Sequence, residues 1–239
     1  MIPTITVNNL TALATMLVDA ATQKHLTLRV LGGVAVAMTC PSIETKPSLQ
    51  RPFKDLDFVA PLEEWDALAE IFKANGASLK SKQADRMVFD KVGIEIELTT
   101  PDFTAGHRVD LKSRLALASP TLAPSDLLLT KLLKRQFEEK DIKDAVALLL
   151  DHRVAKGEVE DQIDHEYIAK LCRNQWGLFH TVYDNTVTLE KVLDKYIEPE
   201  EAQLVWRRIE LIQEDMDQQP KSFGWMMNQF LKKPTQVPR

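Results

Sequence analysis

This sequence predicts an α+β fold: a small mixed β-sheet flanked by helices, followed by an α-helical C-terminal region. Three observations carry the reading. In the first half, short runs with the two-residue strand period interleave with stripes at helical spacing. Beyond Pro124 the apolar spacing turns helical and stays so. No apolar run approaches the roughly 18 residues that a membrane span requires, so a soluble, cytoplasmic protein without membrane contact is expected.

The elements follow in order. Asn8 or Asn9 is expected to cap a first helix whose apolar face is Leu10, Leu13, Leu17 and Ala20. Leu28 to Leu31 reads as a strand stopped by Gly32 and Gly33, and Val34 to Met38 as a buried helix starting at the glycines. Three prolines between Pro41 and Pro52 predict a loop. Phe53 to Val59 alternates apolar and acidic residues, as a strand with one polar face does. Pro61 and Gly76 bracket a helix with a stripe of Leu62, Trp65, Leu68 and Phe72. Arg86–Asp90 and Ile94–Leu98 form an expected hairpin around Gly93, with a further strand at Arg108–Leu111. Helices are then expected over Leu127–Phe137 and Ile142–Leu150. The charged stretch Val154–Asp164 marks a boundary, dividing residues 1–152 from a helical region, 153–239. There Trp176, Trp206 and Trp225 are expected as core anchors of a bundle, with a frayed end over Pro234–Arg239.

Composition narrows the function classes. Of 239 residues, 44% are hydrophobic and 27% charged, enough apolar material for a proper core. The formal net charge of −5 provides no global positive field to hold a long nucleic acid nonspecifically. Cys40 and Cys172 stand far apart with no C-x-x-C, so neither a disulfide framework nor a zinc site is expected. The histidines His25, His152, His165 and His180 show no metal-ligand spacing; His107, between two expected strands, is placed within reach of a cleft.

Asp55 and Asp57, at i and i+2 on one strand, point to one face, while Leu56 and Phe58 point into the core. Hard carboxylate oxygens suit magnesium, although an isolated D-x-D is ordinarily a solvated strand or turn. Gly32-Gly33, between a strand and a helix, lets backbone N–H groups approach a phosphate closely; a tight strand-to-helix turn is the ordinary alternative. Lys131 lies among Leu128, Leu132 and Leu133. A buried ammonium is costly unless paired, so it should meet a carboxylate or a triphosphate. Lys140, Asp141 and Asp144 open the following helix, where acids favourably meet the macrodipole. Ile94-Glu95-Ile96-Glu97-Leu98 offers two more acids on one face, which on an edge strand would simply be solvated.

Leu31-Gly32-Gly33-Val34-Ala35 followed by Arg51-Pro52-Phe53-Lys54-Asp55-Leu56-Asp57-Phe58 resembles the nucleotidyltransferase superfamily pattern of a glycine turn, a helix and a D-x-D strand. The 21 residues between Gly33 and Asp55 are similar to the wider spacing of the AbiEii-like group, whose members include toxins of toxin–antitoxin systems. So are Leu127-Leu128-Leu129-Thr130-Lys131 and Glu139-Lys140-Asp141-Ile142-Lys143-Asp144 downstream. The resemblance spans about residues 28 to 152. It implies an enzyme, dependent on Mg2+ or Mn2+, that moves an NMP group from an NTP to an acceptor such as a tRNA, a protein or a small molecule. A cognate antitoxin is a further implied partner. Asp55, Asp57 and a third acid, Glu97 rather than Glu95, would hold metal; Gly32, Gly33, Arg51, Lys131 and Asp141 would line the nucleotide site. Family members often carry aspartate where Glu97 stands, and that departure favours an alternative, a catalytically silent module that binds a nucleotide or a partner.

Overall fold

The computed structural model describes residues 6–104, 107–157, 159 and 161–231. Its centre is a mixed sheet, five-stranded among these residues, built from β1 (Arg29–Leu31), β2 (Asp55–Val59), β3 (Ser78–Lys82), β4 (Arg86–Lys91) and β5 (Ile94–Thr99) in the order β1-β2-β5-β4-β3. β2 and β5 run parallel, and the other neighbours are antiparallel. The two-residue period buries Leu56 and Phe58 completely and turns Asp55 and Asp57 to the opposite face. Under the apolar face, Phe72 of helix α4 (Trp65–Ala74) packs on Phe58 at 5.5 Å and edge-on against Phe89 at 5.1 Å.

Helix α1 (Val7–Thr22) is capped by Thr6, whose hydroxyl accepts from the Asn9 N–H; Asn8 and Asn9 themselves lie inside the helix. Helix α2 (Gly32–Thr39) begins at the glycine pair. The proline-rich stretch expected as a loop contains a single helical turn, α3 (Ser42–Thr45), whose Ser42 N–H donates to Asp151 at 2.9 Å. That long-range acceptor is invisible to local proline counting. A 3-10 turn at Leu62–Glu64 precedes α4, which leaves Leu62 exposed, and Gly76 follows its end at φ +83°, the left-handed region that glycine enters freely. β3 was not expected: all five of its residues are exposed, and as an edge strand bearing Lys80 and Lys82 it has no apolar alternation to announce it.

After the short pair β6 (Asp102–Thr104) and β7 (Arg108–Asp110), α5 (Pro124–Leu132) opens with proline in its first turn. It stops five residues short of Phe137 because Asn185 donates to the carbonyls of Leu132 and Lys134, at 2.7 and 2.8 Å, and holds the chain in a turn. α6 (Glu139–Asp151) starts in a capping box between Glu138 and Asp141. The stretch read as a boundary holds a parallel pair, β8 (Arg153–Ala155) and β9 (Gln162–Asp164), with Ile163 fully buried. Helices α7 (His165–Cys172), α8 (Trp176–Glu190), α9 (Pro199–Gln218) and α10 (Phe223–Leu231) follow. Buried side chains from Leu10 to Trp225 form one connected cluster, in which α5 meets α8 and α6 meets α9. Trp176 and Trp225 are buried in it. Trp206 is not: it is 46% exposed, a step of about 100° around α9 from the buried Val205. The end at Pro234–Arg239 lies outside the described residues. Among the described residues no helix is long and apolar enough to cross a membrane.

Candidate active site

The polar face of the sheet forms the floor of the site. Register pairs Asp57 with Glu97 and Asp55 with Glu95 across β2 and β5, neighbouring strands that lie about 4.8 Å apart. β1 delivers the next part, since Leu31 pairs with Asp57 and the chain then turns into α2. Gly32 adopts φ +74°, and a Cβ on it would come within 2.1 Å of Asp57 Oδ2; one on Gly33 would come within 2.0 Å of Arg51 Nη2. Bare backbone therefore lies directly against a carboxylate and a guanidinium, and the start of α2 carries no side-chain cap. Its first N–H groups and positive dipole end stay available to an anion.

The facing wall comes from α5 and α6. Lys131 is 5% exposed and meets Asp144 at 2.9 Å, so the ammonium does find an anion. Asp144 also accepts from Arg51 Nε and Nη2, at 2.9 and 2.7 Å. This bidentate pairing, with the guanidinium stacked 4.4 Å over Phe53, fixes Arg51 in the loop before β2. Asp144 thus does more than open α6: nearly fully buried, it anchors two cations at once. Asp141 closes the capping box and accepts from Lys134 at 2.6 Å, while Lys140 pairs with Glu138 at 2.9 Å.

A cavity of about 220 Å3 brings together Asp55, Asp57 and Glu97 from the sheet, Gly32 and Gly33 from α2, and Arg51, Lys131 and Asp141 from the facing side. It also takes in Thr99, Thr130, Lys134 and Lys140. Sequence reading gives no site role to Lys134 or the two threonines, and places Lys140 at the opening of α6 without one. Lys134 becomes legible only once α5 is known to end before it; Thr99, two residues beyond Glu97, was findable by strand period. Glu95 does not line the cavity and is exposed. His107 does not line it either: it pairs with Thr181 of α8 at 2.8 Å, and burial lowers its pKa.

The electrostatics are those of crowded anions. Burial first, then Asp55 and Glu97, push the Asp57 carboxyl up to about 7, against a downward pull from Lys131 and Lys134. Burial also raises Glu97, even though the Arg86 guanidinium is in close contact with its Oε2. Two hard-oxygen carboxylates on one face, with Asp55 raising the cost of ionising Asp57, fit a divalent cation. Glu97 is turned to Arg86 instead, and among the described residues no three His, Cys, Asp or Glu side chains are already gathered as a metal cluster.

No protein-family model matches the chain, and no curated protein does. Solved structures resemble it in outline. An antigenic nucleotidyltransferase-like protein from Paracoccidioides brasiliensis is 12% identical with a TM-score of 0.48, over 79% of this chain and 92% of that one. The antibiotic-resistance factor ANT(2'')-Ia, in its solution structure, is 12% identical with a TM-score of 0.37, over 89% of this chain and 93% of its own. Its crystal structure in complex with adenylyl-2''-tobramycin gives 13% identity and a TM-score of 0.35, over 88% of this chain and 97% of its own. The likeness is one of chain outline, at scores too low to bear on chemistry.

Proposed function

We propose that the chain is a metal-dependent nucleotidyltransferase of the AbiEii-like kind, moving an NMP group from an NTP to an acceptor hydroxyl or phosphate. One observation carries this: a single cleft sets Asp55 and Asp57 against the uncapped start of α2 and four cations, Arg51, Lys131, Lys134 and Lys140. Asp55 and Asp57 would hold Mg2+ or Mn2+, with Glu97 as the third acid. The metal would supply neutralisation of charge on the attacking and leaving oxygens.

The chain's own groups do the rest. Backbone N–H groups of Gly32 and Gly33 bind phosphate oxygens, and the missing Cβ atoms leave room for Asp57 and Arg51 beside them. Lys131 and Arg51 neutralise the triphosphate from positions fixed by Asp144, and Lys134 does so from its pairing with Asp141. The acceptor oxygen attacks the α-phosphorus in line; the new P–O bond forms as the bond to the bridging oxygen breaks, and pyrophosphate leaves. Glu97 completes the acid set or takes the proton of a hydroxyl acceptor. A toxin-like role with a cognate antitoxin, in a reducing cytoplasm where both buried cysteines stay free, belongs to the same reading.

The pairing of Glu97 with Arg86 favours a second reading, a silent module that binds nucleotide without turnover. Pyrophosphate release from labelled NTP and Mg2+ in the presence of cell extract separates the two: turnover that disappears in Asp57→Asn supports the enzyme, and tight binding with no turnover supports the module.

A further inference from the structure

The sheet face that carries Asp55 and Asp57 also carries a guanidinium. β4 places Arg86 opposite Thr99 and Val88 opposite Glu97. Arg86 therefore shares the face of Glu97 and lies one diagonal step from it, a gap that long side chains bridge. Its Nη2 is in close contact with Glu97 Oε2 and 3.7 Å from Glu95 Oε1. Glu97 is the more enclosed acid, 23% exposed against 58% for Glu95.

The pairing is incomplete. Arg86 Nε is buried with no hydrogen-bond partner, so the guanidinium lacks the two-pronged grip that fixes Arg51 on Asp144. A buried donor left unsatisfied weakens the case for staying put. Arg86 is also 43% exposed, so it has a way outward, and Glu95 stands there as a second acceptor.

We propose that Arg86 is a positioning residue that competes with the divalent cation for Glu97, moving over to Glu95 when the cation arrives. With Arg86 on Glu97 the site offers only Asp55 and Asp57; with Arg86 on Glu95 it offers three carboxylates. This rests on Asp55 and Asp57 being the metal ligands. It also gives Glu95 a task outside the cavity, that of receiving the displaced guanidinium.

The test is Mn2+ binding to the full chain without nucleotide, followed by calorimetry or electron paramagnetic resonance at fixed ionic strength. Arg86→Gln should tighten binding by about tenfold or more, the least that an opposite charge in contact does to a carboxylate. Glu95→Gln should weaken it about two- to fivefold, as expected of a half-exposed ion pair. In the Arg86→Gln background Glu95→Gln should change nothing, a coupling that a merely structural arginine would not produce. If Arg86→Gln melts early, Arg86→Met takes its place. Mn2+ binding that depends on Asp57 but is no tighter without Arg86 overturns the competition and leaves the metal assignment standing. No Asp57-dependent binding in either the wild type or Arg86→Gln overturns both.

Discussion

Gly32 is the support on which Asp57 rests: the place a Cβ would occupy on Gly32 lies 2.1 Å from Asp57 Oδ2. The same residue sits at φ +74°, where an L side chain costs about 1–2 kcal/mol. Gly32→Ala adds that strain to the eviction of a carboxylate, so a stability loss of about 2 kcal/mol or more is expected. Gly33→Ala meets the far end of a flexible side chain, Arg51 Nη2, and should cost less stability while pushing Arg51 off Asp144. Urea denaturation of the two variants checks the order; equal losses would mean that Asp57 yields easily.

Asp57 should also make stability depend on pH. Its carboxyl is raised from an ordinary 3.8 to about 7 in the folded chain. Between those values the native state holds a proton that the unfolded chain has lost. That contribution is fully present below about pH 4 and is lost as pH rises through 7. Asp57→Asn removes the titration, so in metal-free buffer its Tm should match wild type near pH 4 and exceed it increasingly up to pH 8. A Tm difference that stays flat across this range would show that Asp57 is not held up.

On the helical wall the proposed roles are a structural one for Asp144 and a ligand-binding one for Lys131. Asp144→Ala leaves the buried Lys131 and the half-buried Arg51 without their shared partner, and a loss of about 3–5 kcal/mol in stability is expected. Lys131→Met leaves Asp144 bidentate on Arg51, so the fold should survive nearly intact. NTP affinity should fall by about 1–3 kcal/mol, the worth of a charge-assisted bond. Calorimetry on both variants decides; a Lys131→Met protein that loses stability but keeps its NTP affinity would place Lys131 in the scaffold alone.

How much of this was legible depended on whether the cause was local. Alternation over Phe53–Val59 is a local signal, and it shows both the strand and the shared face of Asp55 and Asp57. Gly32-Gly33 is also local, but its strongest physical reason is not: the close approach to Asp57 and Arg51 exists only once β1 lies beside β2. The need of Lys131 for an anion followed from its apolar neighbours, whereas its sharing of Asp144 with Arg51 required α6 and the loop before β2 to meet. Arg86 gave no sign, because its contact with Glu97 depends on the register of β4 against β5. β3 and the turn α3 went unread for the same kind of reason, one having no apolar face and the other being held by Asp151.

The central claim is that Asp55 and Asp57 hold a divalent metal against a nucleoside triphosphate. The most direct measurement is equilibrium binding of a fluorescent, non-hydrolysable NTP with and without Mg2+, in the wild type, Asp55→Asn and Asp57→Asn. The account predicts that Mg2+ strengthens binding to the wild type and has no effect on either variant, while both variants keep a wild-type fold by circular dichroism. Equal Mg2+-dependent binding in all three proteins would contradict it.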